Sequence, residues 1–577
     1  MSKHLGEKSV LRLFDSIDDS QKQLDFIRKE RVKAIKQFAG RHYATNGPDK
    51  CVPVNFLKLA VDIYTRSLAA RAPRVLITTT NDELRPVAAN LELAVNKIPD
   101  EIGLTETFRR WVVEALFTLG IVKVGLSTTS EVLGHAYGKP FVDIVTIDDY
   151  FLDMSAKDMS DIQFEGNDYW PTYEGLKKWA ELTKREKEDL KPDYDSQLVG
   201  YGGQERAGSI SISGNVMEYK PRIHARDVWL PDDGIIVTYI VGSKKIIKET
   251  EWTGPETGPY HKLAYSHVPG NLLPVSNVAI WIDLHELGNA LFRKIADQAD
   301  SQKSVLGFSG GDEDAIDAFK KANDGDGIRF SGQAPQTLTA GGVDAKTLAF
   351  YLQVKELSSY FSGNIDALGG LAPQSETLGQ DKLITQSASA LLRDMADKTI
   401  VAMEKVFKDL CFYEWNDPIT ERMLEKSVPG FSELKVPVKW NREAKQGDLE
   451  DYDLRVDVYS MADNSPTIKM QKLAILLERY IFPLAPEIRA HGGQIDIQVI
   501  IDLIAKYNDF DELRDIVFFM EPGQLESAGQ ESEIIKGISR PSQQDGRQSG
   551  PTPSGKSDIL QRILLGDNPQ QAESGAL

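Results

Sequence analysis

The fold of this 577-residue chain depends on one stretch, residues 278–414. It opens with VAIWIDLHELGNALFRKIADQADSQK (278–303) and continues, after an insert, with DAKTLAFYLQVKELSSYFSGNIDAL (344–368). Both segments repeat apolar residues at helical spacing, which predicts two helices with one apolar stripe each. The first stripe is Ile280, Leu284, Leu287, Leu291 and Ile295, and the second is Phe350, Val354, Leu357, Phe361, Ile365 and Leu368. A third helix, about Gln380–Trp415, is predicted to be roughly 50 Å long at about 1.5 Å per residue.

The insert between the two segments, Ser304–Gly342, differs from them in composition. Its sequence predicts a strand at Val305–Phe308, a polar helix at Asp312–Asn323 and a second strand at Ile328–Phe330. An insert this small and polar does not cover two long helices, and a helix with one apolar stripe needs a partner surface. We therefore expect either other parts of the chain or neighbouring copies of it to cover the stripes.

Outside this stretch, helical and alternating patterns are mixed, which predicts an α+β fold. The predicted helices are Gln21–Phe38, Asn55–Ala72 and Phe108–Leu119, and the predicted strands are Val75–Thr78, Ile121–Leu126, Phe141–Ile147, Tyr150–Asp153, Val436–Trp440 and Leu454–Tyr459. A β-hairpin is predicted from Ile235–Val241 and Lys245–Lys248 around Gly242-Ser243. The helices Ile468–Tyr480 and Ile495–Tyr507 are expected to form a small helical unit, and the Gly- and Ser-rich segment Gln197–Gly214 a loop. From about Glu521 the composition predicts disorder.

The net charge of −19 argues against a static nucleic-acid-binding surface, which needs clustered Lys and Arg. It does not exclude a protein that lets nucleic acid slide past. The two cysteines, Cys51 and Cys411, are too few for a disulfide framework, and we expect both to be small core residues. The start lacks the apolar core of a signal peptide, and no apolar run approaches the ~20 residues that span a membrane. A soluble protein made in a cytoplasm is the expectation.

The tail holds a letter-for-letter phosphate-binding motif, Gly550–Ser557 (GPTPSGKS). The mechanism of that motif needs a strand before the loop and a helix after it. Here the preceding residues are polar, two prolines remove N–H donors, and too little chain follows for a nucleotide-binding sheet. A chance match in a low-complexity tail is the preferred interpretation.

Other candidate sites are weaker. His285-Glu286 lacks a second histidine at zinc spacing, so an exposed or capping pair on a helix is expected. Asp148, Asp149 and Asp153 could bind a divalent ion, but a turn with solvated carboxylates is preferred. The sequence predicts no catalytic residues, no metal and no cofactor.

Four segments together show a resemblance to a known family. They are VPVNFLKLAVD (52–62) with RAPRV (71–75), ALFTLG (115–120), VDIVTIDDY (142–150) with Asp153, and Pro269 through LHELGN (284–289) with Arg293, Lys294 and Gln298. Their order, and the helix–insert–helix–loop–long-helix layout, resemble the portal proteins of tailed bacteriophages. The likeness covers about Gln21 to Phe519 and leaves out the tail.

The resemblance implies a portal-like α+β architecture with a mixed α/β wing, a helical stem, a small α/β clip, a helical crown and a disordered C-terminal tail. In this numbering it implies the N-terminal part of the wing at 1–277, stem helices at 278–303 and 344–368, and the clip at 304–343. It further implies a tunnel loop at 369–384, a long wing helix with return strands at 385–465, a crown at 466–520 and the tail at 521–577.

The resemblance implies that copies of the chain, usually twelve, form a ring. This ring is the channel for double-stranded viral DNA at one capsid vertex. The ring acts in DNA packaging and ejection without catalysis. Implied partners are the terminase large subunit, a head–tail adaptor, and the major capsid and scaffolding proteins, with no membrane. The virion is the expected location. The positive side chains expected to contact DNA are Lys382, Lys320, Lys321 and Arg329.

Two alternatives remain open at this point. One is a packaging ATPase that uses the tail motif, which would need a parallel sheet and a Mg²⁺-binding acidic strand. The other is another virion structural protein, such as a capsid or tail-tube subunit, which should be richer in β structure.

Overall fold

A computed structural model describes residues 6–40, 51–127, 138–178, 220–242, 245–307, 313–324, 336–369, 378–417, 421–428 and 431–457, with isolated positions between 184 and 486. Nearly all of them belong to one compact unit, residues 1–428 and 435–462. In the second unit, residues 429–434 and 463–577, the description covers little beyond a π-helical turn at Leu477–Ile481. The predicted loop Gln197–Gly214, the helix Ile495–Tyr507 and the tail lie outside the described residues.

The described chain is a mixture of helices and strands, which confirms the mixed α/β class. The helices of eight residues or more are α1 (Glu7–Ala39), α2 (Phe56–Leu68), α3 (Arg85–Val95), α5 (Leu104–Phe117), α7 (Asn277–Asp300), α8 (Glu313–Lys321), α9 (Ala345–Phe361) and α11 (Leu378–Asn416). Shorter helices are α4 (Ile98–Ile102), α6 (Tyr173–Lys178) and α10 (Ile365–Leu368). Because the apolar spacing is local information, the helices predicted within the continuous described ranges are found, although α1 begins fourteen residues earlier than predicted.

The strands form small antiparallel sheets. They are β1 (Arg74–Thr79), β2 (Gly120–Leu126), β3 (Pro140–Val145), β4 (Tyr150–Leu152), β5 (Glu165–Tyr169), β6 (Ala225–Leu230), β7 (Ile235–Ile240), β8 (Lys245–Glu251), β9 (Tyr260–Leu263), β10 (Lys303–Gly307), β11 (Gln336–Ala340), β12 (Arg422–Val428), β13 (Phe431–Trp440) and β14 (Tyr452–Asp457). The sheet orders are β4-β5-β6-β7-β8, β3-β2-β9, β1-β14, β10-β11 and β12-β13. The predicted hairpin is confirmed, with Ile240 opposite Lys245 and Ile235 opposite Glu251.

Two apolar cores hold this unit together. One lies between α2, α3, α5, α11 and the first turns of α7, with Trp111, Phe407 and Trp440 fully enclosed. The other lies between α1 and the five-stranded sheet, around Phe151 and Tyr239. Helix α1 therefore covers the sheet, while α7 starts in the first core and extends from it.

Helix α2 ends earlier than its predicted end at Ala72. The Nε and Nη2 groups of Arg109 on α5 donate to the carbonyl oxygens of Ala69 and Ala70, at 3.2 and 2.8 Å. These bonds satisfy two carbonyl groups beyond the last helical residue, Leu68. Arg109, which is distant in sequence, thus stabilises the end of α2 at Leu68. The helix therefore ends before the position at which Pro73 would end it.

The predicted turn at Asp148 and Asp149 is present, since the N–H of Asp149 donates to the carbonyl oxygen of Thr146 at 2.9 Å. The prediction that its carboxylates are solvated is wrong, because Asp148 and Asp153 are buried. The Nη1 group of Arg31 donates to Oδ2 of Asp148 at 2.7 Å, and Asp153 accepts from the backbone N–H of Ser155 and Gln163. Both carboxylates therefore accept hydrogen bonds from protein groups. Within the described ranges no three His, Cys, Asp or Glu side chains converge as a metal site requires.

Two further expectations also need correction. His285 is fully buried and not an exposed pair with Glu286. Cys51 is exposed, whereas Cys411 is buried as expected, and both are free thiols. No helix among the described residues is long and apolar enough to cross a membrane.

Candidate interaction surface on the helical hairpin

Helices α7 and α9 pack against each other and, with the residues between them, form a unit that we call the helical hairpin, residues 277–361. Ser276 begins α7 by accepting the N–H of Ala279 on its Oγ at 3.0 Å. Asp344 begins α9 by accepting the backbone N–H of Thr347 at 3.1 Å. The hydrogen bonds that Asp344 accepts from Thr347 and Lys346 lower the pKa of its carboxyl.

The first and last strands of the insert lie side by side. Strands β10 and β11 pair antiparallel, with Lys303 opposite Ala340. Immediately after β11 the chain passes so close to the end of α7 that a Cβ on Gly341 would lie 2.9 Å from the carbonyl oxygen of Ser301. With a φ of +78°, this position requires glycine, which allows the return into α9.

The end of the hairpin nearest the body, which we call the root, is held by α2. The ring of Tyr64 stacks on Trp281 of α7 with centroids 5.6 Å apart, and its hydroxyl donates to the carbonyl oxygen of Ser362 at 2.7 Å. A Cβ on Gly288 would meet Phe56 at 2.7 Å, so glycine lets α2 and α7 approach. Oδ1 of Asn289 accepts the N–H of Val54 at 3.0 Å.

Between its two helices the hairpin is apolar. Phe292 and Tyr351 lie with ring centroids 5.5 Å apart, and Val354 is almost fully buried against Gly288. His285 lies next to this seam, edge-on to Phe56. Burial, with the nearby charge of Arg293, lowers the pKa of His285 to about 4, so the imidazole is neutral at neutral pH.

The predicted stripe of α7 is not its buried face. The buried residues are Val278, Trp281, Ile282, His285, Gly288 and Asn289. Ile280 and Leu287 of the stripe are among the exposed large apolar residues. The buried face contains Gly, His and Asn, because close helix approach and polar anchoring at the root decide which side packs inward.

Helix α9 also carries exposed large apolar side chains, and it carries them on two sides. Within α9, Val354 and Ser358 are buried. At about 100° per residue, the exposed apolar residues fall on both sides of this buried line. One side, flank A, is Leu348 (42% exposed) and Leu352 (49%), and the other, flank B, is Phe350 (47%), Leu357 (45%) and Phe361 (56%). The hairpin therefore presents two separate apolar surfaces to solvent.

The insert adds a third apolar surface. Val305 on β10 and Leu338 on β11 are direct cross-strand partners, so their side chains share one face of the ribbon. More than half of each side chain is exposed. A ribbon of two strands is marginal by itself, so this face is suited to contact with another surface.

The predicted DNA-contacting residues lie in different elements. Lys320 and Lys321 are exposed in the last turn of α8. Lys382 is in the second turn of α11, and its side chain is outside the described part. Arg329 lies outside the described residues, as does the predicted strand Ile328–Phe330. The partner strand of β10 is β11, which the sequence patterns did not indicate.

The bounds of the second segment also differ from prediction. Helix α9 ends at Phe361, and a turn at Gly363 and Asn364 separates it from the short α10. Helix α11 begins at Leu378, inside the range 369–384 predicted as a loop. Residues 370–377 lie outside the described part of the chain.

No model of a known protein family matches the chain, and a search of curated proteins finds no match either.

Proposed function

We propose that this chain is the subunit of a portal ring, a channel for double-stranded DNA at one vertex of a viral capsid. The observation that carries the proposal is the pair of exposed apolar flanks on α9, together with exposed apolar residues of α7. A monomeric protein rarely leaves several apolar surfaces of this kind uncovered. Neighbouring copies of the hairpin would cover them.

The two flanks favour a ring over a two-fold dimer. A two-fold contact uses the same patch on both copies, whereas a ring joins two different patches, one on each side of every subunit. Flanks A and B lie on opposite sides of the buried line of α9, with different side chains on each. Flank B of one copy can pack against flank A of the next all the way round, leaving the polar insert at one end.

The charge of the chain suits a conduit for DNA. Acidic side chains outnumber basic ones over the described hairpin residues, in a chain with a net charge of −19. Each neutralised phosphate strengthens binding by releasing counterions, so a strongly basic bore would hold DNA in place. A mainly acidic bore with scattered positive contacts lets the duplex move. We assign such contacts to Lys320 and Lys321, whose ammonium groups are exposed, and to Lys382 and Arg329 from the sequence.

The remaining parts of the proposal follow from the same assignment. The insert, with its exposed Val305–Leu338 face, would serve as the docking surface for the terminase large subunit during filling and for a head–tail adaptor afterwards. The ring would be surrounded by the major capsid protein, and assembled with a scaffolding protein, in the virion.

Mass measurement of the purified full chain tests the proposal. We expect a closed ring of about 770 kDa if twelve chains of 64.2 kDa assemble, and an annular particle with a central hole in electron micrographs. A protein that remains a monomer or a two-fold dimer at micromolar concentration would contradict it.

A further inference from the structure

Tyr64 connects both helices of the hairpin to the body of the protein. Its ring is fully buried and stacks on Trp281 in the first turns of α7, with an interplanar angle of 14°. Its hydroxyl donates to the carbonyl oxygen of Ser362, the residue that follows α9. Burial raises the pKa of Tyr64 to about 12, so the hydroxyl remains a donor at neutral pH. One side chain of α2 thus fixes the start of one hairpin helix relative to the end of the other.

The chain beside this contact makes an unusual turn. Gly363 has a φ of +82° and Asn364 a φ of +57°, and among the described residues Asn364 is the one non-glycine with a positive φ. A Cβ on Gly363 would lie 2.5 Å from the Tyr64 hydroxyl oxygen. The N–H of Asn364 donates to the carbonyl oxygen of Ser359 at 2.7 Å, which closes the turn. Two successive left-handed residues therefore set the direction in which the chain leaves α9, and the Tyr64 hydroxyl packs directly against them.

We propose that Tyr64 and the Gly363-Asn364 turn fix the angle between the hairpin and the body, and thereby select the number of subunits at which the ring closes. Tyr64 is a positioning residue in this role, because it acts through the orientation of the flanks. The inference rests on the proposed ring, since a subunit number exists only for a closed assembly.

The geometry of rings explains why one contact can matter. Neighbouring subunits are rotated by about 30° in a ring of twelve and by about 28° in a ring of thirteen, so a few degrees per contact separate the two closures. The apolar flanks make non-directional contacts that tolerate such a small change. The directional groups lie at the root, where a hydrogen bond, a ring stack and a fixed turn hold the hairpin.

The first experiment replaces Tyr64→Phe, which keeps the ring and removes the hydroxyl. The buried carbonyl of Ser362 then loses that donor, and the angle of the hairpin becomes less restricted. We expect wild-type rings with one dominant subunit number and Y64F rings with a second number present, measured by native mass spectrometry. Tyr413→Phe on α11, the same chemical change in a half-buried ring that contacts Phe412, is the control and should leave the distribution as in the wild type.

A second variant approaches the turn without removing a hydrogen bond from the root. Asn364→Gly keeps the left-handed conformation accessible but makes others accessible too. It should also broaden the distribution of subunit numbers. Thermal unfolding of each variant is measured in parallel, because a merely structural role of Tyr64 would lower the unfolding temperature and leave the subunit number unchanged.

The outcomes separate this inference from the proposed function. Rings of one unchanged number in both Y64F and N364G would overturn the inference and leave the portal proposal standing. A wild-type chain that forms no ring would overturn both. A broadened distribution in both variants, with the Tyr413→Phe control unchanged, supports the inference.

Discussion

Within the five-stranded sheet, the buried side chain of Arg226 connects two neighbouring polar side chains. Arg226 donates through Nε and Nη2 to the two carboxylate oxygens of Asp168, at 2.5 and 3.0 Å, and through Nη1 to the hydroxyl of Tyr239 at 3.0 Å. Arg226 and Tyr239 are buried, and 9% of the Asp168 side chain is exposed. Burial alone would raise the pKa of Asp168, but His224, whose Nε2 lies 3.3 Å from Oδ2, and the Arg226 guanidinium outweigh it and lower the pKa to about 2.

Replacing Asp168→Asn should therefore destabilise the protein strongly. The change leaves the Arg226 guanidinium buried without its counter-charge, which typically costs about 3–5 kcal/mol. The free energy of unfolding from urea titration measures the loss. Asp82→Asn is the matched control, because Asp82 pairs with Arg85 at 2.7 Å while both side chains are more than two-thirds exposed. That surface pair should contribute no more than about 1 kcal/mol. Equal losses in the two variants would contradict this account.

His285 gives the root of the hairpin a pH dependence. Its pKa is about 4 in the folded chain and about 6.5 when unfolded, so the unfolded state binds more protons between these values. Stability should consequently fall as the pH drops from about 6.5 towards 4, by roughly 3 kcal/mol in total. His285→Gln removes this titration, so its stability should decline less over the same range. Parallel slopes for wild type and variant, in urea titrations at pH 7 and pH 4.5, would show that His285 does not carry the effect.

Among the larger elements, strand β1 shows how a sheet edge is protected. One side of β1 pairs with β14, and the other side faces α3. The side chain of Asn96 both accepts the N–H of Val75 and donates to its carbonyl oxygen, each at 2.9 Å. Glu92 accepts the N–H of Ile77 at 3.1 Å. These side chains take the place of a third strand, which removes an edge that could pair with another chain.

Asn96→Ala should lower the free energy of unfolding by about 1–3 kcal/mol, because it leaves two buried backbone groups of Val75 without partners. Asn96→Asp keeps the acceptor and loses the donor, so an intermediate loss is expected. Hydrogen exchange at the Val75 amide should accelerate in the alanine variant and much less in the aspartate variant. An unchanged exchange rate in Asn96→Ala would mean that α3 does not protect this edge.

The helical hairpin matters for the molecule as a whole, because its surfaces determine how copies meet. Its root is anchored by Tyr64, Phe56 and Asn289, while flanks A and B remain exposed. Burial of apolar surface contributes about 25 cal/mol per Å², so even a modest contact along both flanks stabilises an assembly. A charged side chain on one flank should destabilise the assembly, because the charge would lose its water.

Phe350→Asp places that charge on flank B and should convert rings into monomers, as measured by mass photometry. The carboxylate would have to be desolvated against flank A of the neighbouring copy, which is unfavourable without a partner charge. Ala349→Asp is the control, because residue 349 lies on the side of α9 opposite Val354 and Ser358 and is already exposed. Rings that persist in the Phe350→Asp variant would show that flank B is not the contact between subunits.

The sequence by itself determined where most helices and strands lie, because their apolar spacing is a local property of the chain. The first hairpin helix, the β7–β8 pair and helix α11 were predicted within a few residues, whereas the second segment, predicted as one helix over 344–368, is broken after Phe361. The break at Gly363-Asn364 also has a local signal in these two residue types, which favour left-handed backbone.

Only the tertiary structure decided which faces pack inward. The stripe through Ile280 and Leu287 is more apolar than the face that is buried, yet α2 and α9 pack against Gly288 and His285, where close approach and hydrogen bonds are available. The burial of Asp148 likewise depends on a tertiary contact, because its partner Arg31 lies 117 residues away. Contacts between residues distant in sequence leave no periodic pattern, so the folded chain alone established the anchored root and the two exposed flanks.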